Sequence, residues 1–547
     1  MTEHRSPGAG ARKRAWLATL ALMPAMLQCA ASAQNAPEAV AVPLPPMGWS
    51  SWNSFSNTVD SAVIESQAKA MVATGMKKAG YRYINIDEGW WLGKRDAQGN
   101  IVVDPKAWPA IAPRERDGDM ANIVRYIHGL GLKAGIYTDA GADGCGTFSP
   151  DLGPGYPHEG SEGHYEQDFL QFARWGFDYV KVDWCGGAKE KLDPAVQYAE
   201  IARAIARAAE ATGHRLYFSI CNWGVNSPWT WAPGIGGAPA DIWRVSGDIV
   251  APIVANTKNA DRKASFDGML KNFDQGIHPQ AQHTGFYNDP DMMVLGMPGL
   301  DDAQNRVHMS LWAMSGAPLI VGADLAKLGD ATLVTLTNAE VISVDQDALG
   351  LQAVKVAEPA AGLEVWSKIL SRPGERAVLL LNRTGSAASI TVRWGQLGLD
   401  GSAAAHATNL WSGKDLGELK DSFTATVPAT GAVMLRVHGS ETRPVAYKPS
   451  GTASPGEMKR VARFTSVASR FHYAPIQIVY RNPDKTIRWA ELRVNGQTAT
   501  RIAFPPTGNG GGAVWIQALF DRDGPNNMLE FSPAESPAPE IQSIAVE

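Results

Sequence analysis

The feature that most constrains this chain is an alternation of strand and helix signals repeated along its first two thirds. A first segment, Pro45 to Asn53, is followed by short apolar runs at Tyr83 to Asp87, Lys133 to Tyr137, Tyr179 to Asp183, Leu216 to Cys221, Ile242 to Val245, Gly285 to Asn288 and Pro318 to Gly322. Between several of them lie amphipathic stretches, Ser61 to Ala79, Met120 to Leu130, Glu166 to Trp175 and Pro194 to Ala211. Eight strand signals over about 280 residues have the size and order of a (β/α)8 TIM barrel, an α/β fold whose chemistry sits at the C-terminal tips of its strands. The tips here are polar or aromatic: Asp87-Glu88-Gly89-Trp90, Tyr137-Thr138-Asp139, Asp183-Trp184-Cys185, Asn222-Trp223, Arg244 with Asp248, and Asn288-Asp289-Pro290-Asp291. One rim therefore collects carboxylates, amides and tryptophans, the make-up of a sugar pocket.

The fourth strand signal, Gly176 to Gly187, is the most informative. Phe177, Tyr179, Val180 and Val182 read as a buried parallel strand that presents Lys181 and Asp183 near its end. Residues two apart on a strand share a face, so Lys181 stands beside Asp183 and favours its ionised form. An ionised, positioned carboxylate is a candidate nucleophile, and a structural Lys/Asp pair is the alternative.

From about Gly350 the pattern changes to alternating segments separated by Gly, Pro and Ser turns, which reads as an antiparallel β-sandwich over 347–438. A polar stretch, 439–458, reads as a linker, and 459–547 as a second β-sandwich with an Asn495-Gly496 hairpin signal. The catalytic barrel is assigned 34–346 and a signal peptide 1–33: Arg12, Lys13 and Arg14 precede an apolar stretch, and Ala31-Ser32-Ala33 is a small-x-small cleavage site. This predicts a secreted or periplasmic protein, with lipidation at Cys29 as the alternative. The apolar stretch is too short to span a bilayer. A net charge of -5 argues against nucleic acid or an anionic membrane as partner. Beyond the leader three cysteines remain, Cys145, Cys185 and Cys221. In an oxidising compartment Cys145 and Cys185, both at strand tips, are the better pair.

The ordered set Pro46-Met47-Gly48-Trp49, Asn85-Ile86-Asp87-Glu88-Gly89-Trp90, Gly135-Ile136-Tyr137-Thr138-Asp139, Lys181-Val182-Asp183-Trp184-Cys185, Trp243-Arg244 with Asp248, Asn288-Asp289-Pro290-Asp291 and Asp345-Gln346-Asp347 resembles glycoside hydrolase family 27, the α-galactosidase (melibiase) family. The resemblance implies a retaining exo-glycosidase with Asp183 as nucleophile and Asp248 as general acid/base, whose carboxyl should be raised relative to that of Asp183. It places Lys181 and Arg244 on sugar hydroxyls, Asp87 and Glu88 at O4 and O6, Asn222 near the 2-hydroxyl and Asp291 as a buttress. It also makes Trp52, Tyr137 and Trp90 the pocket walls and Cys145–Cys185 a disulfide, and it implies no cofactor. The substrate would be a galactose- or L-arabinopyranose-containing oligo- or polysaccharide.

Two residues depart from the family pattern. Glu88 stands where the family's α-galactosidases usually have aspartate, and its carboxylate reaches about 1.5 Å further, toward the C6 hydroxymethyl. β-L-Arabinopyranose lacks that group, so β-L-arabinopyranoside hydrolysis is the alternative activity. Asn222 replaces an acidic residue. A non-catalytic sugar-binding protein is the rival of a different class, and intact Asp183, Asp248, Lys181 and Arg244 argue against it. No metal site is expected: His158 and His164 read as loop or rim residues, and Asp289 with Asp291 as support for the pocket. The C-terminal unit weakly resembles carbohydrate-binding modules of the β-sandwich type through Arg493-Val494-Asn495-Gly496, Val514-Trp515 and Gly524-Pro525-Asn526-Asn527.

Overall fold

In a computed structural model the structure describes residues 43–148, 158–234, 240–249, 264–283, 285–442, 444–450, 461–469, 471–497, 499–520, 524–534 and 537–547. The predicted signal peptide with Cys29 lies outside the described residues.

Each of the eight barrel strands forms at its predicted segment, β3 and β7 running on to Asp139 and Asp289: β1 (Met47–Ser50), β2 (Tyr83–Asn85), β3 (Lys133–Asp139), β4 (Tyr179–Asp183), β5 (Tyr217–Cys221), β6 (Ile242–Arg244), β7 (Tyr287–Asp289) and β8 (Leu319–Val321). They pair in parallel in chain order, β8 returns to β1, and a parallel bridge between Met293 and Val321 closes the ring. Helices on the outside follow local signals. Asp193 accepts from the amides of Ala195 and Val196 and Pro194 takes the first turn of helix Pro194–Thr212, which ends on Gly213. The predicted helix 61–79 is two helices, Ser61–Ala73 and Met76–Ala79, because Gly75 adopts φ 84 between them. Inside the ring Tyr179, Ile242 and Tyr287 pack with Tyr83 and Tyr217, and the Tyr179 and Tyr217 rings stack at 5.6 Å. These rings fill the barrel at the N-terminal side of the strands and leave the polar tips beyond them as the open end.

The antiparallel region follows. Strands β9 (Val354–Ala360), β10 (Leu363–Ile369), β11 (Glu375–Asn382), β12 (Ala388–Arg393), β13 (Ala404–Asn409), β14 (Asp415–Lys420), β15 (Ser422–Val427) and β16 (Gly431–His438) form a sheet ordered β14-β13-β16-β11-β10-β9 and a β12-β15 pair, with Val365, Leu380, Ile390 and Leu435 in the core between them. The last region has two four-stranded sheets. They are built from β17 (Val445–Tyr447), β18 (Ala462–Ser469), β19 (Tyr473–Arg481), β20 (Arg488–Val494), β21 (Thr500–Phe504), β22 (Gly512–Leu519), β23 (Gly524–Pro533) and β24 (Glu540–Val546). Strand β17 lies inside the stretch read as a linker, because its three residues pair with β24 and extend the sheet. The last region is docked: Trp489 packs on Phe286 at 5.4 Å, the Ala503 amide donates to His283 Nε2, and Glu547 pairs with the fully buried Arg376.

Candidate active site

The open end of the barrel is organised by Lys181. Its ammonium lies 2.9 Å from Asp87 and 3.6 Å from Asp183, and 5.2 Å from the centre of the Tyr137 ring. Asp87 is further held by the Ser50 hydroxyl and accepts from the Glu88 amide. Asp183, 5% exposed, accepts from the Trp184 amide, and its backbone carbonyl and that of Val182 both accept from the Tyr198 hydroxyl. Tyr198 comes from the following helix, so the nucleophile candidate is fixed from strand and helix together.

The expected ionisation of Asp183 by Lys181 is only part of the balance. Burial pushes the Asp183 carboxyl above the usual aspartate range, Lys181 pulls it down, and Asp87 and Asp248 push it up again. The Asp183 carboxyl is therefore not depressed: Lys181 is shared with Asp87, the closer partner, and Asp248 adds a second negative charge.

Asp248 sits above this floor on the turn after β6. Its side chain is 54% exposed and lies 3.2 Å from the Arg244 guanidinium. Arg244 itself is buried; it donates to the carbonyls of Ser246 and Gly247, lies 3.0 Å from Asp291, and contacts the Cys221 sulfur. One side chain thus folds the 246–248 turn around itself and sets where Asp248 stands. Asp291 holds the other side by accepting from the Ile249 amide, at a φ of 109 that is strained for a residue other than glycine. Burial pushes its carboxyl up, against the pull of Arg244.

Glu88 is 1% exposed. One oxygen accepts from the Gly146 amide at 2.6 Å and the other lies 3.5 Å from the Tyr137 hydroxyl. Its carboxyl closes the corner between Asp87 and the loop of Cys145, which is bonded to Cys185 at the end of β4. Burial, and then the charge of Glu159, raise it well above the usual glutamate range. Asn222 is fully buried; its amide nitrogen donates to the Val225 carbonyl, and its oxygen has no partner among the described residues. The oxygen is thus left open as an acceptor, while one of the two amide hydrogens is taken by Val225. Trp52 is half-buried and begins the short helix that follows β1.

Trp90 is not a pocket wall. It is 1% exposed, donates to the Tyr137 carbonyl, stacks on Trp91 and meets Phe172 and Trp175 edge-on, all in the layer between the strands and helix Tyr165–Trp175. Gly89, at φ 103 and pressed against the Asn57 backbone, turns the chain away from the pocket just before it.

Asp139 was not singled out from the sequence, yet it joins the two loops beside Asp183. One of its oxygens accepts from the amides of Gly141 and Gly186. Burial and the charge of Asp183 push it up to about 8. Asp139, Asp183, Cys145 and Cys185 come within 4.8 Å of one another, but the two sulfurs are bonded to each other and so do not form a ligand set. Cys221 is a buried thiol facing Arg244, as expected of a residue without a disulfide partner.

This arrangement, a buried carboxylate under a lysine and a half-exposed carboxylate at the mouth, suits double displacement at a sugar carbon. Known family models match most of the chain. The family model for alpha galactosidase A matches residues 44–347, that for the alpha galactosidase C-terminal beta sandwich domain matches 360–437, and that for the alpha-galactosidase CBM13 domain matches 461–546. Alpha-galactosidase A of Cellvibrio japonicus is 39% identical over 405 residues, 72% of this chain and 91% of the relative. The alpha-galactosidase of rice is 37% identical over 371 residues, 67% of this chain and 78% of the relative. Among solved structures, alpha-galactosidase I from Mortierella vinacea superposes with a TM-score of 0.62 at 30% identity, covering 73% of this chain and 98% of that one.

Proposed function

This chain belongs to the α-galactosidase family, glycoside hydrolase family 27, and from that membership we propose that it removes terminal α-D-galactosyl residues with retention, using Asp183 as nucleophile and Asp248 as general acid and base. It is a glycoside hydrolase acting on α-galactosides. In the first step Asp183 attacks the anomeric carbon while Asp248 gives its proton to the departing oxygen, leaving a glycosyl ester on Asp183. In the second, Asp248 takes a proton from water, which attacks the same carbon and frees Asp183. Retaining enzymes hold the two carboxyl groups about 5–5.5 Å apart.

The observation that carries this reading is the contrast in exposure. The Asp183 side chain is 7% exposed and lies beside the Lys181–Asp87 pair, and the Asp248 side chain is 54% exposed and lies beside the buried Arg244–Asp291 pair. A nucleophile needs fixed geometry, whereas an acid/base at the mouth can meet both the leaving group and water. Steady-state kinetics test it. Asp183→Asn should abolish hydrolysis, and Asp248→Asn should lower kcat by about 10²–10⁴-fold. An Asp183→Asn chain that keeps hydrolysing, or an inactive native chain that binds sugar, would overturn it in favour of another nucleophile or of a binding protein.

Glu88 favours a second reading, β-L-arabinopyranoside hydrolysis. Its carboxyl, drawn onto Gly146, fills the corner beside the Cys145–Cys185 bridge where a C6 hydroxymethyl would lie. The test is the ratio of kcat/KM on p-nitrophenyl α-D-galactopyranoside to that on the β-L-arabinopyranoside. Glu88→Asp should raise this ratio about tenfold, equivalent to about 1.4 kcal/mol of transition-state discrimination; an unchanged ratio removes Glu88 as the determinant. We further propose that residues 1–33 direct export, consistent with the bridge between Cys145 and Cys185.

A further inference from the structure

Four side chains at the tips of β3 and β4 have the composition of a metal site, and the bond between two of them stands in the way. Asp139, Cys145, Asp183 and Cys185 each offer a ligand atom, and these atoms lie within 4.8 Å of one another. Two sulfurs and two carboxylate oxygens are donors that Zn²⁺ accepts in tetrahedral geometry, where neighbouring ligand atoms stand about 3.4–3.8 Å apart for the usual bond lengths. With the Cys145–Cys185 bridge intact the sulfurs are bonded to each other. Thiolates, not disulfide sulfurs, are the metal ligands.

Three observations favour an ion here once the bridge is open. Asp139 is fully buried; one oxygen accepts from the amides of Gly141 and Gly186, and the other has no hydrogen-bond partner among the described residues. Buried carboxylate oxygens are normally paired, so this one calls for a partner. Next, the ligands would stay together without the bridge. The Cys145 and Cys185 Cα atoms are 5.0 Å apart, and Asp139 independently ties Gly141 to Gly186, the neighbour of Cys185. Finally, the cluster can be reached. Cys145 and Cys185 are half-buried while both aspartates are buried, so reductant and ion approach from the side of the sulfurs.

We propose that reduction of the Cys145–Cys185 bridge turns this cluster into a Zn²⁺ site, in which two thiolates and the carboxylates of Asp139 and Asp183 hold one ion that fastens the loops and blocks Asp183. A dithiol opens the bridge by exchange: the S–S bond breaks, the dithiol is oxidised to its own disulfide, and Cys145 and Cys185 are left as thiols. Zn²⁺ then displaces the proton of each thiol, so two protons are released per ion. An Asp183 oxygen bonded to the ion is not available to attack a sugar carbon. That loss of turnover rests on Asp183 as nucleophile, whereas the binding of the ion does not.

The full chain tests this after treatment with dithiothreitol and removal of the reductant under nitrogen, beside the untreated chain. In calorimetric titration with Zn²⁺ the reduced chain should take up one more ion than the oxidised one. Cd²⁺ in its place should give the ultraviolet charge-transfer band of a cadmium thiolate. Zn²⁺ should raise the melting temperature of the reduced chain while lowering its hydrolysis of p-nitrophenyl α-D-galactopyranoside about tenfold or more, and EDTA should reverse both. Cys145→Ala/Cys185→Ala, which keeps every other cysteine, should lose the added ion, and Asp139→Asn should weaken its binding about tenfold. If either variant fails to fold, the comparison of oxidised with reduced native chain decides. A reduced chain that takes up no more Zn²⁺ than the oxidised one, or an added ion that persists in the double variant, overturns the proposal. Uptake and stabilisation with hydrolysis intact would uphold the ion site and count against Asp183 as nucleophile, so the two readings fail separately.

Discussion

At the scale of single residues, Lys181 is the point on which the site turns. Sequence spacing places it on the face of Asp183, and the structure adds that Asp87, from β2, is its nearer partner. That second carboxylate could not be read from the strand itself, since only pairing of β2, β3 and β4 brings the two side chains together. Lys181 lowers the Asp183 carboxyl against burial. Replacing it with methionine removes that pull, so the acid limb of the kcat/KM profile should move to higher pH, besides any loss of sugar binding. An acid limb that stays in place would mean that Lys181 does not govern the ionisation of Asp183. Glu88 and Trp90 show the two ways a motif can mislead. The first is held by a loop amide contributed from 58 residues away, and the second is carried into the outer layer by the turn at Gly89.

At the scale of elements, the barrel strands were legible because buried parallel strands are short apolar runs with polar ends. Helix Asp302–Ser315 was not, because Val307 through Ser315 are buried all round and present no amphipathic stripe, although Asp301 and Gln304 form a capping box that marks its start. The loops after β3 and β4 are joined twice, by Cys145–Cys185 and by Asp139 accepting from Gly141 and Gly186. The bridge closes a loop of separation 40, worth about 3–4 kcal/mol by chain entropy. A Cys145→Ala/Cys185→Ala chain should melt at a lower temperature and lose kcat, because the loop that gives Gly146 to Glu88 is loosened. An unchanged melting temperature and rate would show that Asp139 alone suffices to hold these loops.

At the scale of the whole molecule, buried carboxyls set the response to pH. Asp139 is raised to about 8, and Glu547, facing Arg376 where the last domain docks, to about 7. An unfolded aspartate ionises near about 4. A carboxyl raised in the folded state contributes stability that is complete below its unfolded value and is lost as pH climbs through its folded one. The melting temperature should therefore fall between about pH 5 and pH 9, and Asp139→Asn should flatten part of that fall. A melting temperature that rises over this interval would contradict the burial argument. Domain order was readable from the change of pattern near Gly350, but the docking of the last domain was not. His283, Phe286, Arg376 and Trp489 carry no local signal that they meet, since their contacts span sequence separations that only the finished fold supplies.

The central claim is that Asp183 forms the covalent bond to the sugar, and the most direct measurement is peptide mapping by mass spectrometry. The native chain would be quenched in acid during reaction with a fluorinated α-galactosyl fluoride that glycosylates faster than it is hydrolysed. The account predicts one fluorogalactosyl group on the peptide containing residues 176–187, attached at Asp183. A label on another residue, or no label together with galactose of inverted configuration as the first product of a natural α-galactoside, would contradict it.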